Sequence, residues 1–313
     1  MKRRSALAGL TAALLAPRAA VRAQGLTPLR LLGLPVDPCG ALYYAKDLGL
    51  FEKAGLDVDI SSPADYGIVV SALVSGSADI VYAQIMQGEQ AFKKGLPLSM
   101  IAPAAINDQR HPTNYLLVAK GSPIASARDL AGKTIGTSPL KSLGTYAVDA
   151  WVDLHGGDSS LHKWADVPFP LLGEALARGR IDAAFDIEPF ATQALPTTRL
   201  LGRPYEAVSP YFLGAAYFTT TAWAAAHPDL VKRFVATLHE ASIWGNRNHD
   251  KSAVIMAKYA KVDVATVLQT ARAIYTDTLS AADVQPTIDF GAKYKLLDAA
   301  FPAKELIYHA PTA

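Results

Sequence analysis

Short apolar runs alternate with longer amphipathic ones over the first two-thirds of the chain. "LRLLGLPV" (29–36) predicts a strand, and "ALYYAKDLGLFEKAG" (41–55) a helix stopped at Gly55. "LDVDIS" is a strand, "YGIVVSALVSG" a helix ending at Gly76, and "DIVYA" a strand. "MQGEQAFKKG" is a helix ending at Gly95, and "LSMIAPAA" a strand. A glycine just past each helix is the usual stop signal. Such alternation predicts a mostly parallel sheet covered by helices.

The polar stretch "NDQRHPTN" (107–114) interrupts the pattern, and a second alternating set follows: "YLLVAK", "KTIGTS", the helix "SLGTYAVDAWVDLHG", "ADVPFP", "LLGEALARG", "DAAFD" and a helix from Pro189. Around 202–216 the chain turns rich in Gly, Pro and Tyr. Long helical patterns then run over 227–248, 250–261 and 263–275, with Pro228 at a first helical position and Asp250 and Asp263 as N-caps. "GSADIVYAQ" (76–84) and "GRIDAAFDIEPF" (179–190) echo each other, each a helix-ending glycine, a turn aspartate and a buried strand. That echo makes Asp79 and Asp182 turn residues at the amino ends of their strands. Ligands of open α/β sheets gather beyond the carboxyl ends, so Gln84 and Glu188 are expected to face a shared cleft.

Composition adds a boundary. Residues 1–23 combine a basic start, "MKRR", a short apolar run and a small-x-small ending, the pattern of a secretory signal by the general or the twin-arginine route. Its removal takes away five basic groups and moves the formal charge from +2 to about −3, which leaves no argument for nucleic acid or anionic membranes. Cys39 is the sole cysteine, so neither an internal disulfide nor a multi-cysteine metal site is expected. The seven histidines lack ligand spacing, and no metal or cofactor is expected.

Five segments in order, "GALYYAKDLGLFEKAGLDVDI", "LVSGSADIVYA", "KGSPIASARDLAGKTIGTS", "LARGRIDAAFDIEPF" and "AHPDLVKRFVATLHEA", resemble the solute-binding proteins of ABC importers. The nearer resemblance is to the group serving nitrate, sulfonates, taurine and pyrimidine precursors of thiamine. It implies an α/β, two-lobe periplasmic binding protein fold, joined by two hinge segments and closing over its ligand. One lobe would comprise 27–106 and 214–313, the other 107–213. The resemblance further implies a periplasmic, monomeric, non-enzymatic protein whose partners are a small polar solute and the permease subunits. An enzyme of pyrimidine-precursor metabolism on the same scaffold, or a ligand-sensing module, are the alternatives.

Candidate ligand contacts follow. In "VDPCG", Pro38, Cys39 and Gly40 aim helix-start N–H groups at the cleft, unless Cys39 is simply a buried thiol. Tyr43 and Tyr44 cannot share a helix face, so one is core and the other, with Tyr43 the candidate, lines the pocket. Asp65 and Tyr66 stand where the family has small residues, and Asp65 serves equally as a helix cap. Thr137, Ser138 and Ser142 gather hydroxyls at a helix start, suited to an anion. Gln84 can donate and accept. Glu188, before Pro189, either meets the ligand or complements a helix dipole. A carboxylate and aromatic rings favour a pyrimidine-like or amine-bearing ligand; the hydroxyls favour a sulfonate. The sequence leaves both open.

Overall fold

The computed structural model describes residues 25–63 and 66–309. The expected signal segment and Asp65 lie outside the described residues. In chain order the strands are β1 (Thr27–Leu32), β2 (Leu56–Ser61), β3 (Ile80–Gln84), β4 (Leu98–Pro103), β5 (Ala105–Asp108) and β6 (Asn114–Ala119). They continue with β7 (Thr134–Thr137), β8 (Lys163–Asp166), β9 (Ala183–Ile187), β10 (Thr198–Gly202), β11 (Tyr211–Leu213), β12 (Ala215–Thr220) and β13 (Ile274–Tyr275).

Two five-stranded sheets share one plan. The first has the order β2-β1-β3-β12-β4 and the second, read from its other edge, β8-β7-β9-β6-β10. In each, four strands run one way and the fourth in the order is reversed. The reversed strand is the one contributed from across the 107–114 and 202–216 breaks. β5 and β11, which carry the chain between the sheets, belong to a small antiparallel sheet in which β5 pairs with β11 on one side and β13 on the other. This is the two-lobe α/β plan that the alternating pattern and the resemblance imply, with one reversed strand in each sheet.

The echo of the two aspartate turns is reproduced in three dimensions. Asp79 accepts the backbone N–H of Arg30 on β1 at 2.8 Å, and its own N–H donates to the Arg30 carbonyl at 2.9 Å. Asp182 repeats this pair with Thr134 on β7, at 2.8 Å each way. Both carboxylates stand in for a ladder partner immediately before their own strands begin. The glycines that stop the preceding helices, Gly76 and Gly179, have φ of +71° and +65°, a conformation that a Cβ disfavours. Alternate residues of β9 then go to different layers: Ala183 and Phe185 join a compact core with Leu116, Val118, Ile135, Val148 and Trp151. The other face joins the main core that runs through the first half.

One expected helix is cut short. The 263–275 pattern forms a helix only over Val264–Leu268, and Ile274–Tyr275 becomes β13. Tertiary contacts override the helical period there. Ala273 N–H donates to the buried Asp37 carboxylate, while Asn246 accepts from Tyr275 N–H at 3.1 Å and donates to its carbonyl at 2.8 Å. Asp250 also proves not to be a cap, because its helix, His249–Ala260, starts one residue earlier with Asn248 in that position.

Candidate functional site

The carboxyl ends of β3 and β9 meet across a central cavity. Each half contributes the last residue of its third strand and the partner on the reversed strand: Gln84 with Ala215, and Ile187 with Asn114. Asn107 and Thr113 line it from the crossing segment, and Tyr82, Phe169 and Tyr205 supply aromatic surface. Val36 and Pro38 bring in the loop after β1. Among the described residues, no charged side chain lines this cavity. Gln84 Oε1 is buried with no hydrogen-bond partner among the described residues. A buried amide oxygen left unpaired costs about 1–3 kcal/mol, so this atom is poised to accept a donor. The cavity volume is about 20 Å³, room for about one water molecule.

The loop carrying Val36 and Pro38 is held from both halves. Asp37 N–H donates to the Glu188 carbonyl at 3.0 Å, bridging to the end of β9. Its carboxylate, fully buried, accepts from Arg272 Nε at 2.7 Å and from Ala273 N–H. Tyr275 OH donates to the Asp37 carbonyl at 2.6 Å, and Tyr44 OH bonds both Tyr275 OH, at 3.1 Å, and Arg272. Asp37 and Arg272 are not among the candidates drawn from the sequence, because they lie 235 residues apart. The only local signal was an aspartate in a loop already singled out, which reads as an ordinary turn residue.

Of the residues selected from sequence, Pro38 and Gln84 line the central cavity. Cys39 lies in the main core, where burial pushes its thiol up to about 12, so it is neither ionised nor exposed to the cavity. Gly40 is packed under Tyr275 and Tyr44, whose hydroxyls lie 2.3 and 2.5 Å from where a Cβ would stand. Tyr43 is buried against the Tyr259 ring, with centroids 4.4 Å apart and its hydroxyl 3.3 Å from Ser62 Oγ. Both tyrosines of the pair are therefore core, because each finds its own aromatic partner. Tyr66 opens the short 3-10 helix Tyr66–Ile68.

The hydroxyl group expected at the helix start is dispersed. Thr137 Oγ1 donates to the Phe185 carbonyl at 2.9 Å, tying β7 to β9 inside its own half. Ser138 is half-buried before Pro139, and Ser142 lines a separate groove with Leu140, Lys141, Val70 and Lys94. No anion cradle forms at the central cavity from these three.

Glu188 does not oppose Gln84. Counting from the two turn aspartates aligns Gln84 with Ile187, one residue earlier, and one step along a strand reverses the face. The Glu188 side chain lines a different cavity, of about 270 Å³, with Tyr115, Leu117, Thr192, Leu195, Leu200 and Gln269. Its carboxylate accepts from Thr192 N–H at 3.0 Å and Thr192 Oγ1 at 2.9 Å. Burial raises its pKa to about 7 in spite of those two bonds. The neighbouring Asp186 is fully buried, accepts from Ile187 N–H at 2.8 Å, and is pushed well above the ordinary carboxylate value by burial. It does not line the central cavity.

Residues 39–248 match the family described as NMT1/THI5 like. The formylaminopyrimidine-binding protein of Halalkalibacterium halodurans is 30% identical over 142 residues, 45% of this chain and 41% of that one. The 4-amino-5-hydroxymethyl-2-methylpyrimidine phosphate synthase of Schizosaccharomyces pombe is 23% identical over 215 residues, 64% of this chain and 60% of that one. The chain thus spans less than two-thirds of the length of either curated relative. Among solved structures, the alkanesulfonate-binding protein SsuA from Xanthomonas axonopodis pv. citri, bound to MOPS, superposes with a TM-score of 0.75 at 19% identity, covering 90% of this chain and 98% of that one. With the family model matching over most of its length, and the two-lobe periplasmic binding protein fold in place, the chain belongs to the NMT1/THI5-like family.

Proposed function

We propose that this protein is the extracytoplasmic solute-binding component of an ABC importer, capturing one small organic molecule between its halves and handing it unchanged to a permease. Residues 27–106 with 214–313 would form one closing unit and 107–213 the other. The leader-like residues 1–23 support delivery to the periplasm.

The neutral lining of the central cavity carries the choice of ligand class. Gln84, Asn107 and Asn114 offer amide donors and acceptors, Thr113 a further polar group, and Tyr82, Phe169 and Tyr205 flat apolar surface. With no Lys, Arg or His among the described lining residues, none of them would offset an anion, and with no carboxylate among them none would offset a cation. This set suits a neutral nitrogen heteroaromatic of pyrimidine type better than a sulfonate. A ring of that size exceeds a volume of about 20 Å³, so entry requires the halves to part about β5 and β11. Ligand contacts made from both halves then favour the closed arrangement over the open one.

Native mass spectrometry of protein purified without denaturation tests this directly. The expected result is a single extra mass of a neutral heteroaromatic, which on re-addition raises the melting temperature. Conversion of the added compound to a product, or a bound mass that proves to be a sulfonate, would overturn the reading.

A further inference from the structure

The cavity that holds Glu188 is separate from the central one and is built like a ligand pocket. Its walls come from β6 (Tyr115, Leu117), from the helix Phe190–Ala194 with its cap (Ala191, Thr192, Leu195) and from Leu200 on β10. Gln269 and Ala271, in the segment that leads from the truncated helix into Arg272, close it from the other half. A volume of about 270 Å³ equals about nine waters at liquid density, enough for a small organic molecule. Leu195 and Leu200, 46% and 43% exposed, make an apolar rim.

At the inner end stands a carboxyl group that is 98% hidden, since Glu188 is only 2% exposed. Thr192 fills two of the roughly four acceptor positions of a carboxylate, leaving the others for a donor in the cavity. The hydroxyl of Tyr115, on the facing strand, is spent on the Pro112 carbonyl at 2.6 Å. The titratable groups that act on Glu188 are Asp37, Asp186 and Tyr115, none of them cationic. A half-satisfied carboxyl among Leu, Ala and Tyr side chains is a costly arrangement, which a cationic donor would relieve.

We propose that this cavity is a second ligand site, taking a small organic ammonium ion whose head meets the Glu188 carboxylate and whose hydrocarbon lies against Leu117, Leu195 and Leu200. The pKa of about 7 fits this assignment, because a counter-charge in the pocket would stabilise the ionised form. The site is independent of the solute proposed for the central cavity, which Gln84 marks.

The probe is n-butylammonium, titrated by calorimetry into the full mature protein at pH 8, where an alkylammonium remains protonated and Glu188 is ionised. One cation per chain should bind, at least tenfold more tightly than n-butanol or butyrate. Glu188→Gln should weaken it at least tenfold, and Leu200→Trp, a change on the exposed rim that leaves the carboxyl group in place, should block entry. Gln84→Leu should leave its affinity unchanged. Cation binding no tighter than that of butanol, or insensitive to Leu200→Trp or to Glu188→Gln, overturns the proposal. Loss of cation binding in Gln84→Leu would overturn it too, by placing the cation in the central cavity.

Discussion

Replacing Arg272 by methionine isolates the buried contact that holds the cleft loop. The Arg272 side chain is 6% exposed and that of Asp37 is fully buried, so the pair is shielded from solvent. Methionine keeps much of the arginine stem's apolar volume and removes the charge. Asp37 would then keep one acceptor bond, from Ala273 N–H, and lose the counter-ion that compensates its burial. Removing one partner of a buried ion pair costs about 3–5 kcal/mol. For a domain of this size each kcal/mol moves the melting temperature by about 2 °C, giving a drop of about 6–10 °C by calorimetry. The double variant Asp37→Asn/Arg272→Met no longer strands a charge and should recover most of that loss. A melting temperature for Arg272→Met within about 2 °C of the parent, or a double variant no more stable than the single one, would show that Arg272 does not compensate the buried Asp37 charge.

Glu89 gives a pH test. It is fully buried beside Thr287, whose hydroxyl donates to it at 2.6 Å, and burial raises its pKa from 4.5 to about 8. The folded form therefore holds a proton that the unfolded form loses, and stability should fall as pH rises from about 4.5 to about 8. Glu89→Gln should flatten that slope in urea titrations and gain up to roughly 3 kcal/mol at pH 7, at about 1.4 kcal/mol per pKa unit; an unchanged slope contradicts the assignment. Gln84→Leu should weaken solute binding about 5- to 150-fold while leaving the melting temperature unchanged or higher, since it removes an unpaired buried oxygen. Asp182→Ala should cost about 1–2 kcal/mol through the lost Thr134 N–H acceptor and leave solute affinity as it was.

The sheet plan was legible because it is written in local periods and stop signals: apolar runs, helices of repeating amphipathicity, and glycines such as Gly76 and Gly179 where the chain must adopt positive φ. The repeated aspartate turn was legible for the same reason, and Asp79 and Asp182 make the same backbone bonds. The site was less so. Gln84 lines the central cavity, but Glu188 was placed opposite it from the repeated strand-end pattern, when register counted from the turns gives Ile187. Asn107, Thr113 and Asn114 were read as a polar break, because residues on a crossing segment face a cavity only once both sheets are assembled. The Asp37–Arg272 pair joins segments 235 residues apart, and no local pattern carries such a contact.

The two halves are proposed to close over one solute without altering it. Spin labels at Val74→Cys and Leu161→Cys, exposed positions on opposite halves, report the separation by pulsed dipolar spectroscopy. Titrating in the solute recovered from the native protein should shorten that distance, saturate at one equivalent, and return the compound intact on denaturation; an unchanged distance at saturation would contradict the claim.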